Sequence, residues 1–417
     1  MTNTFSVALV DEAREALREV VKETPLQFNR GLSEKYGAKV YLKREDLQAV
    51  RSYKLRGAYN RMRSLTADEK KNGIVAASAG NHAQGVAFSC AELQVRGTIF
   101  MPRNTPRQKL DRVRALGGDL VSIELSGDTY DEAYAAARKL SDEKGAVFVH
   151  PFNDPLVIAG QGTVGAEILE QLKGEQLDVL VVPVGGGGLM SGAGSYVKAK
   201  SQTTKVFGAE PAGAPAMAEA LKAENPVTLE KIDTFVDGAA VKTVGDLTLS
   251  LTKEVAEEVL LIPEGKVCAE MISLYQRDGI VAEPAGALSV AALDDLADKI
   301  KDKTVVCVVS GGNNDISRYP EIIERSLVYQ GLKHYFMVNF SQRPGALKKF
   351  LNEALSPTDD ITLFEYTKKN NRENGPALIG IELAKKDDLA PLLKRMDTLG
   401  MSYELLEKDS PIFRFLI

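Results

Sequence analysis

Lys54 stands between a Ser-Tyr turn and Arg56-Gly57-Ala58 in KREDLQAVRSYKLRGAYN (43–60), where the pattern starts a helix near Arg56. A lysine amine attacks carbonyl compounds when burial or neighbouring cations lower its pKa. Arg51 and Arg56 are near enough in sequence to permit that, although a solvated surface amine is the common state of a single lysine. A second segment, VVPVGGGGLMSGAGSYVKA (181–199), is an apolar strand, four consecutive glycines and a helix-like stretch. Glycine leaves backbone N–H groups unshielded. A strand, a Gly loop and a helix N-terminus together favour a phosphate through those N–H groups and the helix dipole. A tight turn needs fewer than four glycines, so Gly185, Gly186, Gly187 and Gly188 read as an anion cradle. The nucleotide versions of such a loop fail. Met190 and Ser191 occupy the third-glycine positions of G-x-G-x-x-G, and no GxxxxGK[ST] occurs.

Two further strand ends carry polar turns. IVAASAGNHAQGVAFSCAELQ (74–94) ends a strand at Ser78-Ala79-Gly80-Asn81 and continues as a helix from His82. This helix N-terminus suits a carboxylate, and it equally suits a simple N-cap with Asn81 as the capping residue. VVSGGNND (308–315) ends a strand at Ser310-Gly311-Gly312-Asn313, a turn or a site. Ligands of open α/β sheets bind at the carboxyl ends of the strands. A phosphate site, a carboxylate site and a lysine together suggest a phosphorylated aldehyde cofactor acting on an amino acid.

The elements that must position these residues alternate between about 35 and 310. Short β-branched runs occur at 40–43, 73–78, 97–101, 119–124, 146–150, 178–184, 205–210 and 304–310, with helix-period stretches between most of them. Such alternation implies parallel sheets flanked by helices, and the near-continuous apolar strands fit burial on both faces. After Tyr329 the order becomes strand, helix, strand, strand, helix, strand, that of a ferredoxin-like α+β unit. Its first helix is expected to start with Pro344 at the first helical position, and NNRENGP (370–376) to join the middle strands. We therefore expect an α/β domain over 1–328, with a smaller subdomain of about 50–148 inserted in it, and a second domain over 329–417.

Composition excludes several classes. The 417 residues hold 52 basic and 57 acidic side chains, with no run of five like charges, which argues against a nucleic-acid arm or a polybasic membrane patch. Cys90, Cys268 and Cys307 are far apart and form no CxxC pair, so a disulfide scaffold or zinc ribbon has no support. His82, His150 and His334 are too scattered for a metal cluster. The N-terminus lacks a basic start and no run of 18 apolar residues occurs, so a cytoplasmic soluble protein is expected.

KREDLQAVRSYKLRGA, VAASAGNHAQGVA, VPVGGGGLMSG, GIVAEPAGALS and VVSGGNND, spread over roughly 20–330, resemble the fold-type II (tryptophan synthase β-like) pyridoxal-phosphate enzymes, and among them the biosynthetic threonine dehydratases. KHYFMVNFSQRPGALKKFLNEAL and ITLFEYTKKNNRENGPALIGIEL are similar to the ACT-like regulatory domain of the single-domain short form of that family. The resemblance implies pyridoxal 5'-phosphate as cofactor, with Lys54 as both the Schiff-base lysine and the base for the Cα proton. It implies Asn81 on the phenolic oxygen, Gly185 to Gly188 and Leu189 around the phosphate, Ser310 facing the pyridine nitrogen, and Gly238 and Glu283 lining the cofactor. Ser78, Ala79, Gly80, Asn81 and His82 would hold the substrate carboxylate. A Ser opposite the pyridine nitrogen leaves it unprotonated, which favours prompt loss of a β-hydroxyl over transamination. The implied reaction is dehydration and deamination of L-threonine, with L-serine secondary, to 2-oxobutanoate and ammonia. The group that protonates the leaving hydroxyl stays open, the cofactor phosphate being one candidate.

Two departures bear on this reading. Serine racemases carry a second Ser where Ala79 stands, so racemisation should be poor, and relatives that bind a divalent metal use an Asp near the counterpart of Glu210 that PAGAPAM lacks. No metal is therefore expected. The ACT-like unit separates a biosynthetic from a catabolic dehydratase and implies feedback by isoleucine with valine as antagonist, in a homodimer or homotetramer. Effector contacts are expected at Phe364 and Tyr366 and in the loop with Asn370 and Arg372, although Phe364 equally fits plain core alternation. A non-catalytic amino-acid sensor is the alternative of a different class.

Overall fold

The computed structural model describes residues 4–368, 373–407 and 410–416. In chain order the strands are β1 (Leu26–Phe28), β2 (Lys39–Arg44), β3 (Ile74–Ala77), β4 (Gly97–Met101), β5 (Val121–Leu125), β6 (Val147–Phe148), β7 (Val179–Pro183), β8 (Lys205–Pro211), β9 (Ala256–Ile262), β10 (Thr304–Val309), β11 (Lys333–Ser341), β12 (Asp360–Tyr366), β13 (Asn374–Glu382) and β14 (Ser402–Leu405). They form three sheets, ordered β1-β2-β10-β7-β8-β9, β5-β4-β3-β6 and β12-β13-β11-β14. The first two are parallel except for β1, which runs antiparallel to β2. Every residue of β7 and β10 is buried, as the continuous apolar runs VLVVP and TVVCVV require of strands covered on both faces.

β10 slots between β2 and β7, with Cys307 paired to Leu42 on one side and to Val181 on the other. This brings the chain after β2 beside the chain after β10. Tyr53 N–H donates to Ser310 O, Gly312 N–H to Arg51 O, and Ser52 bridges Gly311. The helix Lys54–Arg63 thus starts against the end of β10, two residues earlier than the pattern suggests. It packs on the helix Pro155–Gln171, which in turn packs on the helix Gly188–Lys200 that follows the Gly loop. Glycines permit the close approach: a Cβ at Gly160 would strike Arg56 O, and one at Gly192 would strike Ile158 O.

A buried ion cluster locks the same corner. Arg56 donates to Glu45 through Nε and Nη2 at 2.8 Å each, and to Glu167 at 2.6 and 2.8 Å. Lys43 adds a 2.5 Å bond to Glu167. Burial opposes the charge on Arg56 and on Glu45, and their mutual attraction more than offsets it, so each stays ionised.

The chain divides into two compact units, residues 1–264 with 273–314, and residues 265–272 with 315–417. In the second unit the antiparallel sheet carries the helix Leu389–Thr398 and a core of Phe336, Val338, Phe350, Ile379, Ile381, Leu392 and Met396. Its β-α-β-β-α-β order is the expected ferredoxin-like one. Its first helix differs from expectation. Gly345, at φ +90°, caps a single α-helical turn, Ala346–Lys349, which widens into a π-helical turn, Phe350–Ala354. Pro344 therefore precedes the cap instead of opening the helix. Two strands, β1 and β9, were not anticipated. β9 (AEEVLLI) continues directly from the helix Asp246–Val255 at the sheet edge, and its charged, half-exposed start hides its type.

Candidate active site

The turns that follow β2, β3, β7 and β10 line one cavity of about 1100 Å³, whose wall includes Lys54, Ser78, Ala79, Gly80, Asn81, His82, Gly186, Gly238 and Glu283. Lys54 opens its helix, with its side chain directed to the carbonyl of Pro151 at 3.3 Å and over the ring of Tyr53. Burial lowers its pKa to about 8, against the attraction of Glu283. That brings a free amine within reach near neutral pH, the property a nucleophilic lysine needs.

Asn81 does not cap its helix. Gly80 is the cap residue and no side chain caps it. Asn81 instead joins a triad around the buried Glu283. Its Nδ2 donates to Glu283 Oε1 at 2.5 Å, and its Oδ1 accepts from Asn313 Nδ2 at 2.8 Å. Asn313 N–H also donates to Glu283 Oε2 at 3.2 Å. Burial, with Asp237 adding repulsion, raises the Glu283 carboxyl to about 7 despite those bonds. In the turn at residues 78–82, Gly80 N–H donates to Ser78 Oγ at 3.1 Å. His82 Nε2 bonds the Val149 carbonyl at 2.9 Å, and burial followed by the charge of Lys54 lowers its pKa to about 3. The ring is neutral and tied to the strand end, so what His82 offers an anion is its backbone N–H.

A Cβ would be crowded at each of Gly185 to Gly188. A Cβ at Gly185 would lie 2.6 Å from Ala239 O, and one at Gly186 would enter the ring of Phe152. Gly187, at φ +88°, caps the helix Gly188–Lys200. Leu189 packs its side chain in the core and is not part of the cavity wall. Ser310 is buried and donates to Ala285 O at 3.3 Å; it is not part of the cavity wall. Asn370 and Arg372 lie outside the described residues.

Glu210 is fully buried and accepts from the N–H groups of Met217 at 2.6 Å and Ala218 at 2.9 Å, at the start of the helix Ala216–Ala223. Both of its oxygens thus face a helix N-terminus. The described residues contain no group of three His, Cys, Asp or Glu placed to hold a metal. Asn313 and His150 are among the cavity residues given no role from sequence. Both close a strand-end segment, which is where a role for them was legible.

Comparison with known proteins follows the same division. Residues 17–311 match the family model described as pyridoxal-phosphate dependent enzyme, and residues 324–416 match that of the C-terminal regulatory domain of threonine dehydratase. The chain is 55% identical to the biosynthetic L-threonine dehydratase of Bacillus subtilis, over 97% of this chain and 96% of that one. The chain belongs to the biosynthetic L-threonine dehydratases. The enzyme of that name from Halalkalibacterium halodurans is 53% identical over 97% of both chains. Among solved structures, the processed threonine deaminase isoform 2 of Solanum lycopersicum covers 78% of this chain and 96% of its own length, with a TM-score of 0.73 and 38% identity. Maize serine racemase superposes nearly as well, with a TM-score of 0.72 at 29% identity over 78% of this chain and 98% of its own. As in its family, the cofactor is pyridoxal 5'-phosphate. The half-buried amine of Lys54 and the Gly loop, which reaches the same cavity through Gly186, fit an aldehyde and a phosphate on one small molecule.

Proposed function

We propose that this cavity converts L-threonine to 2-oxobutanoate and ammonia, with L-serine a secondary substrate. The observation that carries the reading is a half-buried lysine amine, lowered to a pKa of about 8, on the same cavity as Gly186 of a glycine loop in which an added Cβ would be crowded. Lys54 would hold the aldehyde carbon of the cofactor, Asn81 its phenolic oxygen, and the backbone amides of Gly185 to Leu189 its phosphate. Ser310 would stand at the pyridine nitrogen, with Gly238 and Glu283 along the ring. When bound, the cofactor supplies an electron sink that acidifies the Cα–H bond of an amino acid.

The chain's own residues then choose the outcome. Ser78, Ala79, Gly80 and the His82 backbone would hold the substrate carboxylate at a helix N-terminus. Lys54, a free amine near neutrality, would take the Cα proton. Ala79 offers no proton to the opposite face, so elimination prevails over racemisation.

The second unit has its own cavity of about 380 Å³, lined by Gln342, Arg343, Leu347, Phe364, Tyr366 and others. The buried amide of Gln342 has neither its oxygen nor its nitrogen satisfied there, which suits a polar ligand. Phe364 both lines this cavity and packs on Phe340 and Tyr366. We assign this cavity to isoleucine as inhibitor and valine as antagonist, in a homodimer or homotetramer. Three buried, widely spaced cysteines fit a reducing compartment, and we place the enzyme in the cytoplasm.

The test is 2-oxobutanoate formation from L-threonine by cofactor-loaded protein, with and without L-isoleucine. Turnover that isoleucine suppresses is the expected result. Turnover insensitive to isoleucine overturns the regulatory assignment, and absence of turnover despite a visible cofactor band overturns the substrate.

A further inference from the structure

His150 ends the segment AVFVH and borders the same cavity as Lys54. Its Nδ1 accepts two backbone hydrogen bonds, from Asn153 N–H at 2.8 Å and Phe152 N–H at 3.2 Å. A ring nitrogen that accepts from N–H donors carries no proton, so the single N–H of the neutral imidazole sits on Nε2. A second proton would have to enter at Nδ1 and break both bonds. Burial first, then the charges of Lys54 and Arg138, hold the ring's pKa down to about 4, with Asp246 acting in the other direction. The ring is wedged edge-on against Phe152 at 4.7 Å, Phe148 at 6.2 Å and Tyr134 at 6.4 Å. Among the described residues no hydrogen-bond partner meets Nε2. The next residue, Pro151, accepts the hydrogen bond of Lys54 Nζ, so this fixed N–H stands one residue from the contact of the proton-lifting amine.

The substrate has two groups beyond its amine that need partners. Its carboxylate is provided for by the turn at residues 78–82, which leaves the β-hydroxyl. Resting on the threonine reading above, we infer that His150 donates its Nε2–H to the β-hydroxyl oxygen and holds it while the C–O bond breaks. The electron pair of the Cα–H bond becomes the Cα–Cβ double bond, and the C–O pair departs on oxygen. The proton that Lys54 took from Cα completes a water molecule. His150 keeps its own proton throughout and acts as a preorganised dipole aimed at the charge that develops on oxygen.

The experiment compares His150→Leu and His150→Gln with the unaltered enzyme, all cofactor-loaded, on L-threonine and on β-chloro-L-alanine. Chloride leaves without help from a donor. His150→Leu should lower kcat on L-threonine by about 100-fold, the typical loss of one such donor. The ratio of dehydration to chloride elimination should fall by a similar factor. His150→Gln keeps an N–H at comparable reach and should recover most of that ratio. A second readout is independent of turnover. With ¹⁵N-labelled histidine only three side chains report, and His150→Gln removes one of them. The Nε2–H resonance of His150 should move on binding α-methyl-L-serine, which has the hydroxyl and no Cα proton, and stay in place with L-alanine. Equal losses on both substrates, or equal movement with both ligands, overturn the assignment. An unaltered enzyme that eliminates chloride but dehydrates neither L-threonine nor L-serine overturns the substrate reading, and this inference with it.

Discussion

Gly185→Ala tests whether the loop after β7 holds a phosphate by its backbone. The Gly185 backbone is not in the left-handed region, so space alone decides what a methyl group does. The new Cβ would stand 2.6 Å from the oxygen and 2.8 Å from the Cα of Ala239, where ordinary contact begins at 3.4 Å. Both obstacles are backbone atoms and cannot rotate away. The loop must then retreat by roughly 0.8 Å to reach that distance, enough to take one N–H out of good hydrogen-bond geometry. A hydrogen bond to a charged group is worth about 1.5–3 kcal/mol, which is roughly a 10- to 150-fold loss of cofactor affinity. The assay is titration of cofactor-free protein with pyridoxal phosphate, followed by the growth of its visible band. Gly186→Ala is the internal comparison, because its Cβ meets the ring of Phe152, a side chain that can turn aside. It should lose less. Unchanged affinity in Gly185→Ala, or a larger loss in Gly186→Ala, would refute the backbone-cradle argument.

Glu283→Gln should flatten a pH dependence of stability in the cofactor-free protein. Burial raises the carboxyl from 4.5 to about 7, so between those values the folded state holds a proton that the unfolded chain has lost. Stability falls as pH rises through that window and levels off above it, a change of order 3 kcal/mol that urea midpoints at several pH values would reveal. Arg56→Met strands Glu45 and Glu167 with Lys43 as their remaining cationic partner and should cost about 3–5 kcal/mol by chemical denaturation. Arg56→Lys should recover only part of it, since an ammonium cannot present the same fork to two carboxylates. Tyr366→Ala removes an aromatic wall of the second unit's cavity. It should raise the isoleucine concentration needed for half-inhibition by about tenfold, on the scale of one aromatic contact, and leave turnover without isoleucine unchanged.

The loops were legible in the sequence because each follows its strand directly. Gly185 to Gly188 after VVPV, and Ser78 to Asn81 after IVAA, carry their chemistry within a few residues. What joins them was not legible. Asn81 meets Glu283 across 202 residues and Asn313 across 232, pairings set by where β10 enters the sheet. Nothing in KRED itself marks burial, yet Lys43 and Glu45 are fully buried because Arg56 and Glu167 arrive from two other helices. The proton position on His150 depends on the backbone of Phe152 and Asn153 folding back on it, which no spacing rule encodes. The widened turn at Phe350–Ala354 hides for a similar reason: its sequence, FLNEA, is ordinary helix former.

The place of β10 in the larger sheet also sets a timetable for synthesis. β2 is complete at residue 44, but its neighbour on the far side from β1 is residues 304–309. At about 5–20 residues per second, the ribosome takes roughly ten to fifty seconds to deliver that neighbour. The sheet of β3 to β6 needs only residues 74–148 and can close during the wait. β2 meanwhile presents an open edge, the kind that invites wrong pairing. The segment of Lys54 therefore emerges early, and its neighbours Tyr53 and Val50 meet Ser310 and Asn313 only when the first unit is almost finished, so the corner around Lys54 is complete only in chains made through to the end of that unit.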